Sequence, residues 1–374
     1  ADTAALSSPG LNFRGINALK IEGANTDVTF ATSGGTQLAI GSGNILSVGV
    51  NQTIGNATLM AAASSPVVFF GTITGTGAVA AAPVFTSVEG GFLVAAGANL
   101  TVNAAFFTTA NVTKGLGGNL TFATKQFFNS STNYFTINGG TVTLAGGENT
   151  LWQGAQGGTA GQYLAIGPGA TLDLNGNSQM VGFLRSPNAT AFAGSGGTVL
   201  NNVASTTATF ISVGSENAWG GNISSGTGSI FFNKAGSGTM TLYSDNTYTG
   251  GTLITGGTLT LQDEGKLSGT SSVELAYGGL TLNNGGTANV ADRLANGAAI
   301  TSRGGALILA GRDSTNVIET VGALTLERGL TNLSVQPVAN GVVRTVVLSV
   351  GNLTRNNDST LLYYGNATGT SNGQ

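Results

Sequence analysis

Residues 234 to 261 read Lys-Ala-Gly-Ser-Gly-Thr-Met-Thr-Leu-Tyr-Ser-Asp-Asn-Thr-Tyr-Thr-Gly-Gly-Thr-Leu-Ile-Thr-Gly-Gly-Thr-Leu-Thr-Leu. Two phrases in this segment, Gly238 to Leu242 and Gly257 to Leu261, share one pattern, a glycine followed by alternating threonine and apolar residues. Alternation with a period of two is typical of a β-strand that buries one face. The second phrase begins 257 − 238 = 19 residues after the first. A chain that returns to the same strand at this interval is predicted to wind, with one coil per repeat.

The segment from Lys234 to Leu261 also resembles the autotransporter-associated β-strand repeat. That repeat has a basic residue, a Gly-x-Gly-Thr-Leu-Thr-Leu strand, Asn-Thr-Tyr-Thr-Gly-Gly-Thr and a closing Gly-Thr-Leu-Thr-Leu. More distant copies of its strand phrase begin at Gly169, Gly304, Val321 and Gly351. The resemblance implies a long extracellular β-helix of a Gram-negative bacterium, often a passenger exported through an outer-membrane barrel. It implies location and shape, and it brings no set of catalytic residues.

A second copy of the unit lies between Lys114 and Leu144. The lysine precedes the closing glycine by 26 residues there (114 to 140) and by 23 in the first copy (234 to 257). Glycine-led strand phrases follow one another at intervals of 19, 22, 26 and 17 residues, beginning at Gly238, Gly257, Gly279, Gly305 and Gly322. Such drift favours a β-helix, whose strands keep register while its loops vary. We therefore predict an all-β fold, a right-handed parallel β-helix (β-solenoid) with coils of about 20 residues.

The composition agrees with a long, thin core. The 374 residues include 61 glycines and are 41% hydrophobic, but only 8% are charged. Disordered chains combine high charge with few apolar residues, so this chain is predicted to fold. Because a solenoid grows by adding coils, length does not set its number of domains. We predict one continuous β-helix over residues 1–364, followed by a polar tail or linker over residues 365–374.

Missing residue types exclude several functions. The sequence has no cysteine and no histidine, which removes thiolate metal sites, disulfides and the commonest general base. Its 13 basic and 16 acidic residues form no basic cluster, so no nucleic-acid partner is predicted. No apolar run approaches the roughly 20 residues that span a bilayer as a helix, so the chain is not expected to insert into a membrane.

Three charged groups were weighed as catalytic candidates, because polysaccharide lyases and hydrolases also use β-helices. They are Asp263-Glu264 with Lys266, Asp292-Arg293, and Arg312-Asp313. A glycosidase needs two carboxylates within about 5 to 10 Å, and no consistent spacing aligns these groups between coils. We interpret them as solvated loops or local ion pairs. Calcium-binding loop motifs are also absent. No catalytic residue, no cofactor-binding or metal site and no cofactor are therefore predicted, and the protein is expected not to be an enzyme.

Outward-facing threonines form a second candidate surface. Thr-x-Thr pairs occur at Thr239/Thr241, Thr258/Thr260 and Thr141/Thr143, and regular threonine arrays are used by ice-binding solenoids. Threonine is also a good strand residue that keeps a surface soluble without charge. The second interpretation is favoured, since other coils carry Asp173, Ile308 or Asn119 in these positions.

Aromatic doublets interrupt the alternation at five places: Phe69-Phe70, Phe106-Phe107, Phe127-Phe128, Phe231-Phe232 and Tyr363-Tyr364. One ring of each pair either faces outward, where it can bind sugars or a neighbouring subunit, or lies buried at a coil corner. Burial is the favoured expectation.

The sequence therefore predicts a structural protein on the outer cell surface of a Gram-negative bacterium, or released from it. Each end of a β-helix exposes unpaired strand edges, and no amphipathic helix is available to cap them. Self-association into a homopolymer through head-to-tail contacts would cover both ends. The alternatives are an autotransporter-type adhesin passenger that binds surface glycans, and a polysaccharide lyase or hydrolase.

Overall fold

The structure, a computed structural model, describes residues 3–6, 13–30, 37–55, 67–74, 84–128, 133–151, 163–188, 190–214, 216–313, 315–337 and 345–365. Its backbone forms two compact units, Ala1–Gly182 and Phe183–Gln374. Throughout the described residues the regular elements are β-strands, without a helix. Accordingly, none of these segments forms a helix of the length and hydrophobicity that crossing a membrane requires.

The first unit contains strands of two to eight residues in its described part. They are β1 (Thr3–Leu6), β2 (Phe13–Ile16), β3 (Leu19–Ile21), β4 (Asp27–Phe30), β5 (Gln37–Ile40), β6 (Asn44–Ser47), β7 (Gln52–Ile54), β8 (Val67–Thr74), β9 (Val84–Ser87), β10 (Gly90–Val94), β11 (Asn99–Val102), β12 (Ala105–Thr108), β13 (Val112–Gly115), β14 (Asn119–Phe122), β15 (Phe127–Phe128), β16 (Tyr134–Ile137), β17 (Thr141–Leu144), β18 (Tyr163–Ile166), β19 (Thr171–Asp173) and β20 (Gln179–Val181).

Three parallel sheets organise this unit, with strand orders β1-β4-β7-β11-β14-β17-β19, β3-β6-β10-β13-β16-β18 and β2-β5-β8-β12-β15. Successive strands of the chain fall on different sheets, so each coil contributes one rung to each. On the first sheet Asn99 pairs with Asn119, Asn119 with Thr141 and Thr141 with Thr171, at intervals of 20, 22 and 30 residues. The predicted coil length holds for the shorter coils, and insertions lengthen the others.

One coil of the first unit carries a large excursion. Asn44 in β6 pairs with Gly91 in β10, 47 residues later in the chain. Between them, β8 continues beyond its own sheet and pairs with β9 in an antiparallel hairpin. This hairpin departs from the otherwise parallel pairing of the unit, but β6 and β10 remain neighbours in the sheet.

The core of the first unit is a stack of inward-facing phenylalanines. Phe70, Phe92 and Phe106 are fully buried, with ring centroids 5.1 to 5.3 Å apart. Phe122 and Phe135 extend the stack through the next coils, with centroids 5.5 and 5.9 Å apart from their neighbours. Alternation places these rings inside while their sequence neighbours face outward. Like residues therefore stack on one another in the core of this unit.

The second unit has the same kind of strands. They are β21 (Phe183–Arg185), β22 (Thr198–Asn201), β23 (Thr207–Ser212), β24 (Glu216–Trp219), β25 (Asn222–Gly226), β26 (Ser229–Lys234), β27 (Thr239–Leu242), β28 (Asp245–Asn246), β29 (Thr252–Ile254), β30 (Thr258–Gln262), β31 (Lys266–Leu267), β32 (Ser272–Leu275), β33 (Gly279–Asn283), β34 (Ala299–Ser302), β35 (Gly305–Ala310), β36 (Val317–Val321), β37 (Leu324–Leu326), β38 (Gly329–Gln336), β39 (Val346–Val350), β40 (Leu353–Arg355) and β41 (Ser359–Gly365).

Two long parallel sheets carry the second unit, β23-β26-β29-β32-β34-β37-β40 and β24-β27-β30-β33-β35-β38-β41. The predicted phrases that begin at Gly238, Gly257, Gly279 and Gly305 are neighbours on the second of these sheets. The phrase at Gly322 lies on a different sheet, because its strand β37 pairs with β34 on the first of them. A glycine and alternating residues suit a strand on either face, so this pattern alone does not identify the sheet.

The third side of each coil has short strands, and buried amide side chains complete its hydrogen bonding. The Gln126 side chain accepts a hydrogen bond from the backbone N–H of Phe106 and donates to the carbonyl of Ala104 one coil away. Asn246 likewise accepts from Ile223 N–H and donates to the Lys266 carbonyl. We call such a residue a side-chain rung. It satisfies backbone groups that a longer strand would otherwise pair.

Each unit is therefore a parallel β-helix, as the sequence predicts. The proposed continuity over residues 1–364 stays a prediction. The proposed polar tail lies outside the described residues apart from Gly365, which ends β41.

Candidate functional site

The lysine that opens each copy of the repeat is buried at a coil corner. Lys114 and Lys234 are both inaccessible to solvent. The Nζ of Lys114 donates to the carbonyls of Gly115, Leu116 and Gly139 at 3.1, 2.9 and 2.8 Å. Lys234 donates to three carbonyls in the same pattern, two on its own corner and one on the next coil. The repeat's basic residue thus ties two successive corners together.

These ammonium groups are surrounded by dipoles instead of carboxylates. Burial lowers the pKa of both Lys114 and Lys234 to about 8, because a charged amine loses its hydration there. Three carbonyl oxygens replace that hydration, which is the condition under which a buried charge is tolerated. The arrangement is therefore a structural clamp, with no free face for a ligand.

One of the three carbonyls that each buried lysine binds belongs to a residue with a left-handed backbone conformation. Gly236, two residues after Lys234, has φ +77, and Leu116 has φ +64 at the corresponding place after Lys114. A β-carbon on Gly236 would lie 1.8 Å from the carbonyl oxygen of Val213, so only glycine fits there. Leu116 has space for its side chain, which is 50% exposed, but its backbone is strained.

Leu116→Gly should raise the free energy of unfolding by about 0.5–1 kcal/mol, because glycine removes the left-handed strain at a cost in unfolded-state entropy. Urea unfolding followed by circular dichroism measures the change. Gly236→Ala is the matched opposite substitution and should lower the free energy of unfolding. A Leu116→Gly variant that is less stable than the parent would contradict this assignment of strain.

A buried polar cluster, here called the Arg293 cluster, joins three coils of the second unit. The guanidinium of Arg293 donates from Nη1 to the Gly265 carbonyl at 2.7 Å and from Nη2 to Asn284 Oδ1 at 2.9 Å. The Glu319 carboxylate accepts from the backbone N–H groups of Arg293 and Leu294, both at 3.0 Å. All five residues are shielded from solvent.

The Arg293 cluster corrects one sequence interpretation. Asp292-Arg293 was expected to be a solvated loop or local ion pair, but Arg293 is among the most buried large side chains. Burial lowers its pKa to about 10, against the opposing influence of the Glu319 and Asp263 carboxylates. Burial also raises the pKa of Glu319. Glu319, which the sequence analysis did not single out, acts as a charged side-chain rung.

The remaining charged candidates serve local structure. Asp263 accepts a hydrogen bond from Thr287 Oγ1 at 2.7 Å, and Arg312 donates to the Gly286 carbonyl at 2.6 Å. Glu264 is exposed and Lys266 is half-buried. Within the residues that the structure describes, no three carboxylates come together as a possible metal site. This absence does not test whether the protein is an enzyme, so the non-enzymatic role stays a prediction.

The threonine pairs align, but only over short distances. Thr239 and Thr241 pair with Thr258 and Thr260 in the next coil. The column of Thr239 and Thr258 then ends at Gly279, whereas the column of Thr241 and Thr260 continues through Thr281 and ends at Ile308. In the first unit, the column through Thr141 continues to Asn119 and Asn99, and the Asn119 amide donates to Asn99 Oδ1 at 3.1 Å. These short polar ladders favour the interpretation that threonine keeps the sheet surface soluble over the alternative of an ice-binding array.

Four of the five aromatic doublets bury one ring and leave the other half-buried. The buried members are Phe70, Phe106, Phe128 and Phe232. The Tyr363-Tyr364 doublet differs, since Tyr363 is 61% exposed and its neighbour is exposed as well. The expectation of burial therefore fails for this doublet, which lies on β41 where no further described strand covers it.

The last described coil exposes apolar side chains. β41 pairs with β38 on one side only, and β40 likewise pairs only with β37 among the described strands. Leu353 would face the core by its register with Leu324, yet it is exposed, as is Leu362 on β41. Open strand edges with exposed apolar residues are surfaces that pair readily with another chain.

Comparison with known proteins supports the repeat and its class. Residues 232–261 match the model of the passenger-associated-transport-repeat. The resemblance drawn from Lys234 to Leu261 is thus confirmed over this segment, which contains the Lys234 clamp. The similarity to repeats of autotransporter passengers covers this segment of the second β-helical unit. No curated protein and no solved structure matches the chain.

Proposed function

We propose that the protein is a structural, non-enzymatic β-helix of the outer cell surface of a Gram-negative bacterium, and that it self-associates through its ends. The observation that carries the proposal is the last described coil, where Leu353, Leu362 and Tyr363 are exposed and where β40 and β41 each pair on one side within the described residues. A parallel strand from a second copy would pair with these strands and cover the apolar side chains. Head-to-tail association repeats one contact and so builds a homopolymer.

The contact involves the first strands of one copy and the last strands of another. The strands β1, β2 and β3 begin the three sheets of the first unit, and each pairs on one side within the described part. Residues 1–30 and 353–374 are therefore the proposed joints. No cofactor, nucleic acid or membrane insertion enters this proposal.

Negative-stain electron microscopy over a concentration series, with light scattering for mass, tests self-association. We expect filaments of constant width that lengthen with concentration. Leu362→Lys should abolish them, because a charge on an edge strand opposes pairing. Phe192→Lys changes a residue of similar exposure away from β41 and should leave the filaments intact. Isolated particles at every concentration would overturn the proposal.

An adhesin that binds surface glycans is the second candidate, because the second unit presents one very exposed tyrosine, Tyr277. The third possibility, a polysaccharide lyase or hydrolase, has no comparable support from the charged groups described above.

A further inference from the structure

Tyr277 combines backbone strain with unusual exposure. Its φ is +69, and its side chain is 73% exposed. The other non-glycine residues with positive φ are asparagine, aspartate or serine, apart from Leu116. Asparagine and aspartate tolerate this conformation because their side chains bond locally, whereas a tyrosine gains no such compensation. The backbone conformation is therefore costly for this residue.

The neighbouring coils show what the corner ordinarily contains. Leu275 pairs with Ile254 on one side and with Ser302 on the other. Counting two residues on from each strand position, Tyr277 stands where the adjacent coils have Gly256 and Gly304. The fold therefore accepts glycine at this corner, and the chain places a large aromatic residue there instead.

The backbone of the next coil bonds to Tyr277 and lies near its ring. The backbone N–H of Tyr277 donates to the Gly304 carbonyl at 2.8 Å. A β-carbon built on Gly304 would lie 3.5 Å from Cδ1 and 3.6 Å from Cε1 of the tyrosine. One edge of the ring thus rests against the glycine, and most of the remaining ring surface is open to solvent.

A polar group stands on Arg303, the residue that precedes Gly304. Arg303 donates from Nη1 to Glu274 at 2.6 Å and from Nε to Glu327 at 2.7 Å, so it bridges three coils. Its Nη2 has no recorded partner among the described residues, and the carboxylates retain free lone pairs. The corner therefore combines an aromatic face with hydrogen-bond donors and acceptors held in place.

We propose that the Tyr277 corner binds a pyranose ring of a neutral glycan. The apolar face of a hexose stacks on an exposed tyrosine, and its hydroxyls both donate and accept, which matches an arginine held between two carboxylates. The side chains of Glu274, Arg303 and Glu327 carry a net charge of −1, and the exposed Arg328 that follows Glu327 brings the group to zero, which suits a neutral sugar. The inference rests on the adhesin candidate for its ligand class and is independent of self-association.

Binding is tested on a printed array of neutral hexose oligosaccharides, with sialylated and sulfated oligosaccharides on the same slide. The protein is first assembled into multivalent complexes through an affinity tag, because multivalency raises the apparent affinity and makes weak binding detectable. The strongest neutral oligosaccharide is then titrated against the uncomplexed protein. We expect Tyr277→Gly to weaken binding at least tenfold while its unfolding midpoint rises, since glycine relieves the strain. A tyrosine with only a structural role would not combine weaker glycan binding with a higher unfolding midpoint on substitution by glycine.

Two variants serve as controls. Tyr277→Phe keeps the aromatic face and should retain most of the binding. Leu116→Gly relieves the same kind of strain in the first unit and should leave glycan binding unchanged. Glycan binding that Tyr277→Gly does not weaken would overturn the site and leave the adhesin candidate standing. Binding confined to acidic oligosaccharides also overturns the site, and absence of any glycan binding overturns both.

Discussion

Glu319→Leu is expected to lower the free energy of unfolding of the second unit by about 3–5 kcal/mol, the range seen when one member of a buried charged network is removed. The substitution deprives the N–H groups of Arg293 and Leu294 of their acceptor. It also removes one of the two carboxylates, Glu319 and Asp263, whose negative charges favour the ionised Arg293 guanidinium. Unpaired buried donors and charges are among the few causes of losses this large.

Fluorescence of Trp219, which is fully buried in the second unit, reports the transition in a Trp152→Phe background. Glu274→Leu removes a carboxylate from a partly exposed ion pair and should cost no more than about 1 kcal/mol. In a double-mutant cycle, Arg293→Met should cost less once Glu319 is leucine than in the parent. Equal losses for the two glutamate variants would show that the Arg293 cluster is not energetically special.

Lys234→Met should lower stability by about 2–4 kcal/mol at pH 7, because three clamped carbonyls each lose a charged donor worth about 1–3 kcal/mol while the cost of burying a charge is recovered. The pH dependence of this stability loss is a more specific test of the buried amine. The pKa of Lys234 is about 8 in the folded protein, against 10.5 for the amine in its ordinary state. Between these values the unfolded chain binds more protons, so the parent gains stability as pH rises from 8 to 10.5. The contribution is lost again as pH falls through 8.

The deficit of Lys234→Met relative to the parent should therefore widen between pH 7 and pH 10, which urea unfolding at each pH measures. Lys114→Met should behave in the same way in the first unit. Lys125 is the matched control, since it is exposed and Lys125→Met should cost little stability at pH 7. A deficit for Lys234→Met that is constant from pH 7 to pH 10 would contradict the assigned burial of the charged amine.

The strands were predictable because alternation and glycine spacing are local properties. Gly238 to Leu242 and Gly257 to Leu261 indeed pair in register. The assignment of strands to faces was less accessible, as the phrase at Gly322 illustrates, because all faces of a coil use the same two-residue period. Coil lengths vary more than expected. Insertions at the corners lengthen a coil without disturbing the pairing of its strands.

The polar interior was not predictable from charge pattern alone. Arg293 follows Asp292 and looks like a local ion pair, yet its guanidinium bonds to Asn284, 9 residues away, and to Gly265, 28 residues away on the preceding coil. The buried role of Lys234 had one signal in the sequence, its place just before a glycine-rich corner, which recurs at Lys114. Tyr277 had none, because recognising it requires the register that aligns it with Gly256 and Gly304.

The excursion between β6 and β10 has a consequence for how such proteins change. Asn44 and Gly91 remain paired although 47 residues separate them, whereas other paired rungs are separated by as few as 19. Lengthening a corner costs little, because loop-closure entropy grows only slowly with length. Evolution can therefore add, lose or exchange whole surface modules at a coil corner without redesigning the core. An engineer can use the corner that carries the β8–β9 hairpin in the same way, as an insertion point for a foreign peptide.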